Sequence, residues 1–172
     1  MAEDDPDTAN LYKNLLESYN HKVDHVFNGR DSVDMYLDEM KRLKILGKEP
    51  TESAPYDVIL MDHMMPIMDG LQAAKNISQL NPKQRIIFLT AYVNETLLAL
   101  ISELGRVVEL IRKPFEPEVL ISMLEDLAPS SKLAELTAFA KSIFRLKNVG
   151  ANDSRVRELL DLLKKIQTPG SI

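Results

Sequence analysis

Residues 57–70 read DVILMDHMMPIMDG, and this stretch decides the fold. Residues 57–62 form an apolar run that ends on Asp62. A run this short, apolar throughout and followed by turn-forming residues, fits a strand buried on both faces. Asp69-Gly70 then opens a new segment whose apolar residues recur at helical spacing up to Leu80, before Asn81-Pro82 stops it. One strand, a loop carrying Pro66, and one helix are thus legible together.

Working outward, the same alternation repeats. Residues 7–19 read as a helix opened by Pro6, with Leu11, Leu15 and Leu16 along one side. Residues 22–27 (KVDHVF) alternate as a short strand, and Asn28-Gly29 marks a turn. A second helix is predicted over 31–46, stopped by Gly47 and followed by the polar loop Lys48–Pro55. Beyond Pro82, residues 85–90 (RIIFLT) read as a buried strand, 94–104 as a helix, 107–112 as a strand and 117–127 as a helix. Strands alternating with helices predict an α/β fold with a doubly wound parallel sheet. After Pro129, segments 131–147 and 154–167 read as a helical hairpin, broken at Gly150-Ala151-Asn152. The expected division is therefore a body at 1–128 and a two-helix extension at 129–172.

Composition narrows the chemistry. The 172 residues contain no cysteine, which excludes disulfides, thiolate catalysis and Cys-type zinc sites. Three histidines, His21, His25 and His63, are too scattered for a histidine metal site. No apolar run approaches the ~18–20 residues of a membrane span, and no signal-peptide pattern opens the chain, so the expected location is cytoplasmic. The net charge is −5, unevenly spread: residues 1–128 hold 13 Lys/Arg against 22 Asp/Glu, and residues 129–172 hold 8 against 4. The tail's mild positive charge reads most simply as a solvated helical face.

In a doubly wound sheet, sites form at the carboxyl ends of strands. There the sequence places Asp62, Thr90-Ala91 and Lys113-Pro114-Phe115, and Glu3-Asp4-Asp5 stands just ahead of the first helix. Taken singly, each has an ordinary explanation. An Asp after a strand is usually a turn residue or a cap, a Thr there is usually structural, and an acidic run before a helix favours its dipole. In this order they also suit one reaction, phosphoryl transfer to a carboxylate. Asp62 would be the anionic nucleophile. Glu3 and Asp4 beside it would worsen repulsion unless a divalent cation lay between them, and an all-oxygen set suits Mg²⁺. Lys113 offers a compact charge for a phosphoryl oxygen, and Thr90 offers a hydroxyl donor.

With those residues in hand, the sequence resembles the receiver domains of two-component response regulators. The likeness covers residues 3–127 and rests on Glu3-Asp4-Asp5, on D-x-x-M-P-x-x-D-G from Asp62, on L-T-A around Thr90 and on K-P-F from Lys113. The stretch 81–93 (NPKQRIIFLTAYV) looks most like archaeal members. The resemblance implies a flavodoxin-like receiver fold of strand order 2-1-3-4-5 and a phosphoacceptor signalling domain rather than an enzyme. It implies phosphorylation of Asp62 by a histidine kinase or phosphotransfer protein, with Mg²⁺ required. Asp4 and Asp62 would ligate the metal, Glu3 would act mainly through water, and the Met64 backbone carbonyl would complete the set. Thr90 and Lys113 would bind the phosphoryl group, the Lys113–Pro114 bond would be cis, and the signal would pass to a downstream protein partner.

Several features depart from that pattern. Only Met1 and Ala2 precede Glu3, so the first, central strand is expected to be missing. That would leave its two neighbours unpaired across a gap and Glu3 and Asp4 on a fraying end. Leu110 stands where the family usually carries an aromatic, three residues before the Lys. Met64 and Tyr92, at positions that tune phosphate lifetime in the family, are bulky and predict slow autodephosphorylation. Two tail helices of modest charge are too little for a helix-turn-helix effector, so nucleic acid is not an expected partner. Their apolar spacing serves equally for packing on the body or for a homodimer. A non-phosphorylated interaction scaffold is the alternative if the missing strand disables the metal site.

Overall fold

The computed structural model describes residues 1–47, 54–91, 97 and 108–125. Within them the elements are α1 (Pro6–Ser18), α2 (Gly29–Ile45), β1 (Ile59–Asp62), α3 (Gly70–Leu80), β2 (Ile86–Thr90), β3 (Val108–Arg112) and α4 (Pro117–Glu125). The segments 131–147 and 154–167, the segment 94–104 apart from the helical and buried Leu97, and the expected boundary at 128/129 lie outside the described residues.

Three helices begin on side-chain caps. Asp5 accepts from the Thr8 N–H with Pro6 in the first turn, Asn28 accepts from Asp31 N–H, and Asp69 accepts from Gln72 N–H, at 2.8, 2.9 and 2.8 Å. Each satisfies an orphan donor of the helix's first turn. The Asn28 cap is why α2 starts at Gly29 rather than at the predicted residue 31.

β1, β2 and β3 pair in parallel in that order, with Ile59 opposite Ile86 and Ile86 opposite Val108. Alternation along the strands sends side chains to two cores. Ile86, Phe88, Val108 and Leu110 face a cluster with Val33 and Tyr36 of α2 and Ala73, Ala74 and Ile77 of α3. Ile87, Leu89 and Ile111 face Leu16 of α1 and Leu120 and Ile121 of α4. Helices therefore cover both faces, as the alternating sequence predicts. Leu110, in place of an aromatic, is a buried core residue.

The chain start corrects one expectation. Ala2 forms a parallel bridge to Met61 on one side and to Val26 on the other. Ala2 N–H donates to Leu60 C=O at 2.9 Å and Asp62 N–H to Ala2 C=O at 2.9 Å, while Glu3 N–H donates to Val26 C=O at 3.1 Å. The two neighbouring segments are joined rather than unpaired, and Glu3 is buried, with 3% of its surface exposed, rather than fraying. From Val26 across, the extended segments run in chain order 2-1-3-4-5. A second correction concerns residues 22–27, where the described strand pairing is confined to Val26. On the far side of Met1 from the acidic run, a cleft of about 320 Å³ opens among residues that include Val23, Tyr56, Val58 and Leu60. Lys22, Val23 and Asp24 line that cleft, and Asp24 C=O accepts from the Met1 ammonium at 2.7 Å.

Candidate functional site

Asp62 ends β1, and α3 starts close behind it. The approach is so tight that a Cβ on Gly70 would lie 2.0 Å from Asp62 C=O. Only glycine fits, which explains the Asp69-Gly70 pair in physical terms. Gly70 N–H donates to His63 C=O at 2.9 Å, closing the loop between them. The Asp62 carboxylate thus projects from a fixed strand end.

Glu3 and Asp4 arrive beside it because Ala2 is paired on both sides. Carboxylate oxygens of Glu3, Asp4 and Asp62 lie within 4.8 Å of one another, Glu3 buried, Asp62 half-buried and Asp4 exposed. The Nε2–H of His25 donates to Glu3 C=O at 2.9 Å and further fixes this segment. Lys113 follows β3, placed by its N–H on Thr90 C=O at 2.8 Å, and the Lys113–Pro114 bond is cis. Its Nζ donates to Glu3 Oε2 at 2.6 Å and to Asp62 Oδ2 at 2.9 Å. Thr90 is buried at the end of the middle strand. Met64 sends its side chain outward, 66% exposed, while its N–H reaches Asp62 Oδ1 at a long 3.4 Å. Of the residues singled out in the sequence, the structure gathers Glu3, Asp4, Asp62 and Lys113 by side chain, and brings Thr90 and Met64 to the same strand ends by backbone.

The electrostatics follow from this packing. Burial pushes the Glu3 carboxyl up to about 7, with the Asp62 charge adding to it and Lys113 opposing it. Burial works against the Lys113 charge, but its hydrogen bonds to Glu3 and Asp62 outweigh this and raise its pKa. A half-buried group of three carboxylates with one ammonium carries excess negative charge and offers only oxygen ligands. That donor set fits a hard divalent cation of the Mg²⁺ type.

One neighbour is not legible in the sequence. The Tyr12 ring of α1 stacks on Phe115, centroids 5.4 Å apart, and its centroid lies 5.7 Å from Lys113 Nζ. A lone aromatic in an amphipathic helix reads as core, and nothing in its spacing points to Lys113.

Comparison with known proteins gives the following. A family model described as the response regulator receiver domain matches residues 1–125. The response regulator receiver protein CpdR of Brucella abortus is 26% identical over 125 residues, covering 73% of this chain and 91% of CpdR. Two-component response regulator 24 of Arabidopsis thaliana is 33% identical over 85 residues, 49% of this chain and 51% of its own, so the match spans about half of that protein. Among solved structures, the receiver domain of a sensor histidine kinase from Pseudomonas aeruginosa PAO1, with a magnesium ion coordinated in its active-site cleft, is 26% identical with a TM-score of 0.56, covering 72% of this chain and 90% of that one.

Proposed function

The chain belongs to the response regulator receiver family of two-component signalling, and from that premise we propose that it accepts a phosphoryl group on Asp62 in a Mg²⁺-dependent reaction. The observation that carries this reading is the convergence of Glu3, Asp4 and Asp62 within 4.8 Å, with Lys113 Nζ bonded to two of them. The donor would be a phosphohistidine of a histidine kinase or phosphotransfer protein. An Asp62 carboxylate oxygen attacks phosphorus, the P–N bond to the donor histidine breaks, and that ring nitrogen takes up a proton. Asp62 becomes an acyl phosphate.

Charge is the main obstacle, since an anion attacks an anion. Mg²⁺, held by Asp4, Asp62 and the Met64 backbone carbonyl with Glu3 alongside, would supply positive charge between the carboxylates and the phosphoryl oxygens. Lys113 gives up its bond to Asp62 and donates to a phosphoryl oxygen instead. Thr90 donates its hydroxyl to another. These groups position and stabilise charge, as phosphoryl transfer requires. Met64, a bulky residue two positions after Asp62, would hinder an attacking water, so the acyl phosphate is expected to be long-lived. Tyr92, the second such position, lies outside the described residues. A half-life of seconds with Mg²⁺ would count against this shielding.

The output would be a changed contact with a protein partner, through the face built by segments 94–104, 107–112 and 117–127, the first of which lies outside the described residues apart from Leu97. Beryllofluoride, a phosphoryl mimic, tests the reading by NMR titration. Saturable binding that needs Mg²⁺ and disappears in Asp62→Asn supports it. A folded protein that binds none at any Mg²⁺ level would be a non-phosphorylated scaffold instead.

A further inference from the structure

We propose that Tyr12 is a positioning residue for Lys113: its ring, stacked on Phe115, walls the ammonium into the acidic site. The inference rests on the phosphoacceptor reading, and it concerns a residue that reading does not use.

Lys113 carries a flexible four-carbon stem, and confining such a side chain costs rotamer entropy. In the free domain two carboxylates confine it, at 2.6 and 2.9 Å. Phosphorylation consumes one of these partners, because Asp62 becomes an acyl phosphate. At that moment the ammonium must stay at the site and turn to the phosphoryl group rather than swing into water. The Tyr12 ring is a partner that the chemistry does not touch. Its centroid lies 5.7 Å from Nζ, inside the ~6 Å reach of a cation–π contact. Being uncharged, the ring attracts the ammonium without competing for metal or phosphate.

The stack with Phe115 fixes the ring's place. Phe115 is two residues beyond Lys113, and Tyr12 sits on the helix that follows Glu3-Asp4. Their offset rings, 5.4 Å apart at 19°, join the segment supplying the cation to the segment supplying the acids. Both rings are partly buried against the α1/α4 core. A purely structural role would be met by any apolar side chain of similar size, and substitution separates the two.

Tyr12→Phe keeps the aromatic face and Tyr12→Leu keeps only apolar bulk. In the metal-free protein, NMR should find the Lys113 side-chain resonances shifted by the ring in the native protein and in Tyr12→Phe, and moved toward ordinary lysine values in Tyr12→Leu. Beryllofluoride affinity with saturating Mg²⁺ should fall about two- to five-fold in Tyr12→Leu, the range expected for a cation–π contact, and stay unchanged in Tyr12→Phe. Mg²⁺ affinity alone should be the same in all three, since Tyr12 is not a ligand. Phe115→Leu, which removes the stack but leaves Tyr12, should lose affinity in the same direction and by less. Lys113 resonances and beryllofluoride affinity unaffected by Tyr12→Leu would overturn the proposal, as would equal losses in Tyr12→Phe and Tyr12→Leu. If the native protein bound no beryllofluoride, the phosphoacceptor reading would fail, and the ring-shift comparison in the free protein would still decide the place of Tyr12.

Discussion

At the carboxyl end of the sheet, three carboxylates and one ammonium converge, held by Gly70, His25 and the Thr90 carbonyl. At the amino end the same sheet is uneven. On one side Arg85 grips Glu109 with two bonds of 2.8 and 2.9 Å and also reaches the Met123 and Leu124 carbonyls, tying β2, β3 and α4 together. On the other side a cleft of about 320 Å³ opens beside Met1, Val58 and Leu60, on the amino-end side of the level at which Ala2 pairs with Met61 and Val26. The contrast teaches that the two ends are held by different means: backbone pairing of Ala2 with Val26 and Met61 sets the acidic run beside Asp62, whereas a buried ion pair ties the amino end.

Arg85→Ala should have the largest effect, because it leaves Glu109 buried without its partner. A loss of about 3–5 kcal/mol is expected for breaking such a pair, read by denaturant unfolding. A loss below ~1 kcal/mol would show that the amino end is not locked there. Ala2→Pro removes the N–H that bonds Leu60 C=O and leaves that carbonyl unpaired, at a cost of about 1–3 kcal/mol. It should also release Glu3 from the site, seen as loss of the Lys113 contact by NMR. If Lys113 still contacts Glu3 in that variant, Ala2 is not what aligns the acidic run.

A pH series sharpens the same comparison at the site end. The folded-state pKa of Glu3, about 7, lies above the ordinary value of 4.5. Its contribution therefore favours folding below about pH 4.5 and is lost as the pH rises through about 7. Metal-free protein should become less stable across that window, and Glu3→Gln should flatten the slope. Equal slopes in the two proteins would show that the Glu3 carboxyl does not cause the pH dependence. The smallest effect belongs to Ile67, whose φ of 69° is strained for a β-branched residue and whose side chain is 82% exposed. Ile67→Gly should raise stability by about 1 kcal/mol or less, with thermal melting as the readout.

The carboxyl end is largely legible in the sequence, and the amino end is not. Strands that are apolar throughout announce themselves, so the sequence alone places Asp62 and Thr90 at their ends. Caps are equally local, and Pro6 and Asp69-Gly70 mark two helix starts correctly. Ala2 escapes such a reading because a single paired residue has no periodicity. The bonds that hold it in place come from Leu60, Asp62 and Val26, far along the chain. Residues 22–25 fail in the opposite sense. Their alternation suits a strand, but the bridge pairing described there starts only at Val26, while Asp24 C=O accepts from the Met1 ammonium. The Arg85–Glu109 pair and the Tyr12–Lys113 contact join residues 24 and 101 apart, and neither spacing carries a local signal.

The central claim is that Asp62 is the residue that carries phosphate. The most direct test is to phosphorylate the protein with a small acyl or amido phosphate donor and Mg²⁺, trap the product by borohydride reduction, and map the site by mass spectrometry. A Mg²⁺-dependent modification is expected at Asp62 alone, absent from Asp62→Asn. Modification at another residue, or none in a folded protein saturated with Mg²⁺, would contradict it.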